Sequence, residues 1–133
     1  MALVTFFEKP GCATNARQKK LLIQSGHELD VRDMLLQPWI APHLRSFFGS
    51  RPVTEWFNRA APKIRDGIIN PETLAEDEAL ELMCADPLLI RRPLLEADGR
   101  RECGFDEDLI DRWIGLARDR EKVGDSCSRD AAA

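Results

Sequence analysis

The chain has no C-x-x-C pair. Its four cysteines, Cys12, Cys84, Cys103 and Cys127, stand singly, without the close pairing that a structural zinc site uses. Histidine is scarce too: His27 and His43 cannot complete such a site, so no metal is expected, and both histidines are expected at the surface. No apolar run approaches the roughly 20 residues that span a bilayer, so no membrane partner is expected. The stretch from Met1 to Phe7 is apolar but lacks a basic leader and meets Glu8 and Lys9 at once. It reads as a strand and not as an export signal. The expected compartment is therefore the reducing cytoplasm, where cysteines remain thiols. A basic excess is also missing. The 19 Lys and Arg stand against 23 Asp and Glu, a net charge of −4. That speaks against nucleic acid, because phosphate binding needs a concentrated basic face. No internal repeat is visible.

What is present fits one domain with one core. Hydrophobic residues make up 44% and charged residues 32% of 133, ordinary for a soluble domain that folds without staples. The domain is expected over residues 1–119. Residues 120–133 are polar with an alanine-rich end and read as a disordered tail.

The order of elements follows from local chemistry. Ala2 to Phe7 is short and rich in strand formers. Pro10-Gly11 breaks it. Thr14 or Asn15 can cap a helix that runs to Ser25-Gly26, with Gly26 as its natural C-cap. Glu28 to Arg32 alternates with period two, a half-buried strand. A helix between two strands at this spacing predicts parallel pairing. The middle predicts short helices at Ala41 to Phe48 and Val53 to Ala60. A further helix starts at Pro71-Glu72 and continues over Asp77 to Ala85. Leu88 to Pro93 predicts an extended loop. Leu94 to Ala97 and Arg101 to Cys103 predict a hairpin around Asp98-Gly99-Arg100, followed by a helix from Asp106 to Arg118. The sum is an α/β chain: a thioredoxin-like fold with a helical insertion and a mixed four-stranded sheet.

One position carries chemistry in this arrangement. Cys12 lies after a strand and before a helix, where backbone N–H groups favour a thiolate. Read so, it is an exposed nucleophile; read plainly, it is a small buried residue. Asn15 and Arg17 lie within about one turn and could support it. Arg92 precedes Pro93, where this fold usually places a cis-proline beside the active cysteine. Its guanidinium fork suits an anion, although Arg91 and Arg92 also read as plain solvated charges. Trp39, Trp56 and Trp113 read as packing anchors. Cys84, Cys103 and Cys127 read as incidental.

Phe6-Phe7-Glu8-Lys9-Pro10-Gly11-Cys12-Ala13-Thr14-Asn15-Ala16-Arg17-Gln18-Lys19, with Trp56-Phe57-Asn58-Arg59 and Pro87-Leu88-Leu89-Ile90-Arg91-Arg92-Pro93-Leu94, resembles the glutaredoxin-dependent arsenate reductase family. The branch it resembles most is that of the nitrogenase-associated proteins, found with nitrogen-fixation functions. The likeness spans about residues 2–118. It implies a thiol-dependent oxidoreductase with no bound cofactor, and glutathione or a glutaredoxin as reductant. Cys12 matches the nucleophile, Arg92 an anion-binding arginine, and Arg59 lies at or beside another. The chain departs from the pattern at three places. Glu8 stands where such reductases have a histidine, four residues before the cysteine; a carboxylate there is expected to raise the thiol pKa if close. Gly104 stands where the family has an arginine, so that ligand is missing unless Arg100 or Arg101 substitutes. Asn15 stands where redox-sensing relatives carry a second cysteine, which argues against an internal disulfide switch. The alternative reading is a non-enzymatic accessory protein that keeps the fold and binds a partner, such as a nitrogenase-related protein.

Overall fold

The computed structural model describes residues 1–119 and 123; the tail expected from residue 120 lies otherwise outside the described residues. Strand β1 (Leu3–Glu8) leads through a turn into helix α1 (Ala13–Gln24) and returns as β2 (Glu28–Asp33). A helical segment follows, with α2 (Ala41–Arg45), α3 (Pro62–Arg65) and α4 (Glu76–Ala85) joined by short 3₁₀ turns. Strands β3 (Leu94–Ala97) and β4 (Arg100–Cys103) and helix α5 (Glu107–Ile114) complete the domain. The sheet order is β2-β1-β3-β4. β1 pairs β2 in parallel and β3 antiparallel, and β3 pairs β4 antiparallel. The mixed four-stranded sheet, the β-α-β start and the helical insertion are as expected.

Alternation along β1 divides the core in two, because successive side chains leave opposite faces of a strand. Val4 and Phe6 point to one face and pack with Leu22, Leu95 and Ile110 under α1 and α5. Phe7 points to the other and packs with Phe47, Trp56, Met83 and Leu94 under the insertion. Each large side chain buried in this way contributes roughly 1.5–3 kcal/mol. Trp39 and Trp56 lie within the insertion-side core, and their indole N–H groups donate to the Met34 and Arg51 carbonyls.

The hairpin turns at Asp98-Gly99, both with positive φ (52° and 75°). That pairing matches a type I′ turn, which suits the twist of a two-residue hairpin. The insertion departs from expectation. Val53–Glu55 is a single 3₁₀ turn and not the start of a helix to Ala60. The reason lies in the backbone: Arg91 N–H donates to the Trp56 carbonyl and Asn58 N–H to Leu89, each at 2.8–2.9 Å, while Phe57 bridges Ile90. Those bonds take the groups that a helix would have used. For the same reason Leu88 to Pro93 is not a free extended loop; it opens with a 3₁₀ turn at Pro87–Leu89. α5 stops at Ile114 and does not run on to Arg118, because Leu116 N–H turns to the Asp111 carboxylate and Ala117 N–H to Ser25 Oγ.

His27 corrects the expectation of a surface residue. It is 5% exposed and ties the start of β1 to the end of α5. Its Nδ1 accepts from Ala2 N–H at 3.0 Å, and its Nε2 lies 2.7 Å from the Gly115 carbonyl. A carbonyl only accepts, so Nε2 carries the proton and the ring is the neutral Nε2–H tautomer. His43 is half-buried among Phe7, Trp39 and Phe47. Its pKa is lowered, first by that burial and then by the Arg101 charge.

Candidate functional site

The turn from β1 into α1 builds the site. Gly11 takes a positive φ of 83°, and Cys12 N–H closes the turn on the Lys9 carbonyl at 3.1 Å. Cys12 itself is the N-cap of α1. Its Sγ accepts from Asn15 N–H at 3.3 Å, and its carbonyl accepts from Ala16 N–H at 3.0 Å. Thr14 and Asn15, expected as caps, lie inside the helix. Asn15 is committed elsewhere: its Oδ1 accepts from Lys9 N–H at 3.1 Å and its Nδ2 donates to Gln18 Oε1 at 2.9 Å. It is 1% exposed and buckles the loop onto the first helical turn.

Cys12 is 4% exposed, which corrects the expectation of an exposed thiol. The capping bond turns Sγ back over the first turn of α1. The sulfur therefore faces the Asn15 N–H at the start of α1.

Arg92 and Pro93 meet this loop through sheet register. Phe7 pairs with Leu94, so the residues before Leu94 run beside those that follow Phe7 into the Cys12 turn. The Arg92–Pro93 peptide is cis, and Arg92 is 2% exposed. A guanidinium is thus buried on the segment next to the cysteine turn, not solvated. Arg59 and Arg17 are placed otherwise. Arg59 lies exposed on the insertion and donates from Nη2 to the Thr54 carbonyl at 2.9 Å. Among the described residues no hydrogen bond ties it to the Cys12 turn. Arg17 lies exposed on α1, beside Lys20, Gln24 and Val123 in a shallow hollow.

Two of the departures change meaning once seen in place. Glu8 forms an ion pair with Lys19, so its negative charge is met locally by an ammonium from α1. Arg100 and Arg101 do not substitute at Gly104. Arg100 pairs with Glu102 and lies over Trp113; Arg101 pairs with Glu96, donates to Ser46 Oγ and lies over Phe47. The arginine that reaches Gly104 is Arg91. A Cβ at residue 104 would stand 2.8–2.9 Å from the Arg91 Nε, Cζ and Nη2, closer than such contacts allow. The same guanidinium donates from Nη1 to the Glu55 carbonyl at 3.3 Å, and Gly104 N–H donates to the Pro93 carbonyl at 2.9 Å. Sequence reasoning missed Arg91 at this place, where it reads as a solvated charge.

Among the described residues Cys12, Cys84 and Cys103 form no disulfide. Cys103 is buried at the end of β4. Cys84 lies half-buried on α4, where burial pushes its thiol pKa up. Cys127 lies outside the described residues. Among the described residues no group of His, Cys, Asp and Glu could hold a metal ion, and no helix is long and apolar enough to cross a membrane.

Residues 7–113 match the ArsC family model. An uncharacterized 15.7 kDa protein in the draG 3′ region of Rhodospirillum rubrum is 53% identical over 116 residues, covering 87% of this chain and 81% of its own. The arsenate reductase ArsI2 of Synechocystis is 25% identical over 117 residues, with 84% of each chain covered. Among solved structures, a possible arsenate reductase from Streptococcus mutans superimposes with a TM-score of 0.67 at 30% identity. That match covers 83% of this chain and 99% of the other. With the family model spanning most of the chain and a relative this similar, the chain belongs to the ArsC family.

Proposed function

We propose that the protein is a thiol-dependent oxidoreductase of the arsenate reductase type, with Cys12 as its nucleophile. The observation that carries this reading is the capped sulfur: Cys12 Sγ accepts the Asn15 N–H at the start of α1, on the turn that runs beside the buried Arg92. The sulfur attacks an oxyanion held by Arg92, with Arg91 over Gly104 as a neighbouring cation and Arg59 supplied from the insertion. A guanidinium fork matches such an anion with paired N–H donors. Asn15 keeps the loop folded while the sulfur reacts. Arsenate reduction then balances as follows. Cys12 bonds to arsenic as one oxygen leaves as water. A first thiol attacks the Cys12 sulfur, and the S–As electron pair stays on arsenic, which departs as arsenite. A second thiol displaces Cys12 from the mixed disulfide, so that the two thiols end joined as a disulfide. Glutathione or a glutaredoxin supplies the thiols, and no resident cofactor is required.

A second reading keeps the fold without the reaction: an accessory protein that binds a partner in nitrogen fixation. The low exposure of Cys12 favours it, and one relative is named for the draG 3′ region. The discriminating experiment is turnover of arsenate with glutathione and glutaredoxin, by the natural chain and by Cys12→Ser. Arsenite formation that Cys12→Ser abolishes supports the oxidoreductase. A nitrogen-fixation phenotype that survives Cys12→Ser, with no arsenite formed by either chain, supports the accessory protein.

A further inference from the structure

Among the described residues β2 is an edge strand: in the order β2-β1-β3-β4 it has a neighbour on one side only. The hydrogen bonds at the two ends of its ladder fix which backbone groups face outward. Glu28 N–H donates to the Ala2 carbonyl and Met34 N–H to the Glu8 carbonyl. Groups on a strand alternate in direction. The even-numbered residues of β2 therefore bond to β1, while Leu29, Val31 and Asp33 turn their N–H groups to the open edge. Their carbonyls follow, except that of Asp33, which already accepts from Leu36 and Gln37 N–H at 3.2 Å.

The side chains along this edge match their own reversed sequence. Two identical strands related by a two-fold axis must run antiparallel, each residue facing its symmetry mate. With the axis at Val31, Val31 meets Val31, Asp30 meets Arg32, and Leu29 meets Asp33. The Asp30–Arg32 pairs fall at non-hydrogen-bonded positions, where facing side chains come closest. Val31 and Leu29 stand at hydrogen-bonded positions and supply the outward N–H and C=O groups. Asp30 and Arg32 already pair within the chain at 2.9 Å, so their gain on pairing across the axis is small and they act to fix register.

The α1 face of the same edge is apolar. Val31 is 44% and Ile23 59% exposed. With Ala16 and Leu29 they line an open groove between α1 and β2, rimmed by Lys20 and Glu28. An edge that carries both unpaired backbone groups and apolar side chains is a template for another strand.

We propose that the occupant of this edge is a second copy of the chain, joined β2 to β2 about Val31 into one continuous eight-stranded sheet. Neither Cys12 nor Arg92 lies on this edge or lines its groove, so the inference is independent of the proposed reaction. A standard interface takes about 800 Å² per partner, on the order of a tenth of the chain's 7286 Å². A six-residue edge about 20 Å long, with the flanking groove, is at or below that size. The dimer is thus one of micromolar affinity, visible on dilution.

Sedimentation equilibrium over a concentration series tests this with three chains of unchanged length. The natural chain is expected to pass from single to double mass across roughly 1–500 µM. Asp30→Arg and Arg32→Asp each place four like charges around the axis and are expected to weaken association at least tenfold. Mixed together, these two variants set arginines opposite aspartates, and the mixture is expected to regain double mass. Circular dichroism of each variant alone verifies folding, which the half-buried Asp30 and exposed Arg32 positions leave intact. A natural chain that stays at single mass throughout the series overturns the proposal. So does a dimer that both single variants retain, or a mixture that stays monomeric although both variants fold.

Discussion

Gly104→Ala tests how closely Arg91 is seated, and its cost divides into two parts. The first is backbone. Gly104 has φ of +77°, and an L-residue there costs roughly 1–2 kcal/mol. The second is contact: the new Cβ would stand 2.8 Å from Arg91 Nε, so the guanidinium must leave. Its bond to the Glu55 carbonyl goes with it, about 1 kcal/mol net. The total is about 2–3 kcal/mol, which for a chain of this size lowers Tm by roughly 8–12 °C. A double-mutant cycle separates the parts. In an Arg91→Ala background only the backbone cost remains, so Gly104→Ala is expected to cost about 1–2 kcal/mol there, leaving a coupling of about 1 kcal/mol. Urea denaturation of the four chains measures it. A coupling within about 0.3 kcal/mol of zero refutes the seating of Arg91 on Gly104.

Other outcomes follow from groups tied to the site or to its frame. His27→Ala removes an acceptor from Ala2 N–H and a donor from the Gly115 carbonyl; it should cost about 2–4 kcal/mol, against a smaller cost for His27→Gln, measured by chemical denaturation. His43 has a lowered pKa in the folded chain, so the unfolded chain binds the proton first. Its contribution to stability is complete above about pH 6.5 and is lost as pH falls below that toward the folded value. Tm between pH 7 and pH 5 should therefore decline less steeply in His43→Phe than in the natural chain. Cys84, its pKa raised by burial, should alkylate more slowly at pH 8–9 in the folded chain than in urea. Arg92→Gln should lower arsenate turnover at least about tenfold, the loss of one charge-assisted contact, with glutathione dependence unchanged.

The β1-α1-β2 unit was legible because its signals are local. An apolar run, a Pro-Gly break, a helical stretch ending near Gly26 and a period-two strand lie within about 30 residues, and the structure follows them to within a residue or two. The hairpin was legible for the same reason, through Asp98-Gly99. The insertion was less so. Val53 to Ala60 has helical composition, but its backbone is held by Leu89 and Arg91, some 30 residues on, and local propensity yields to such contacts. The burial of His27 was hidden in the same way, since its partners stand 25 and 88 residues away.

At the site, cap preferences pointed one turn too far. Thr and Asn rank above Cys as caps, yet Asn15 spends its side chain on Lys9 N–H and Gln18, which leaves Cys12 Sγ to cap the helix. That one substitution of roles accounts both for the position of the sulfur and for its low exposure. The cis Arg92–Pro93 peptide was expected from the fold. The role of Arg91 was not, because nothing in the sequence says that a glycine's missing side chain is filled by a guanidinium.

The central claim is that the sulfur of Cys12 reacts and that an oxyanion binds next to it. Mass-spectrometric mapping of iodoacetamide labelling at neutral pH, with and without arsenate or sulfate, tests it most directly. Cys12 should label ahead of Cys84 and Cys103, and either anion should slow Cys12 alone. Labelling of Cys12 at or below the rate of Cys84, unaltered by both anions, would contradict the account.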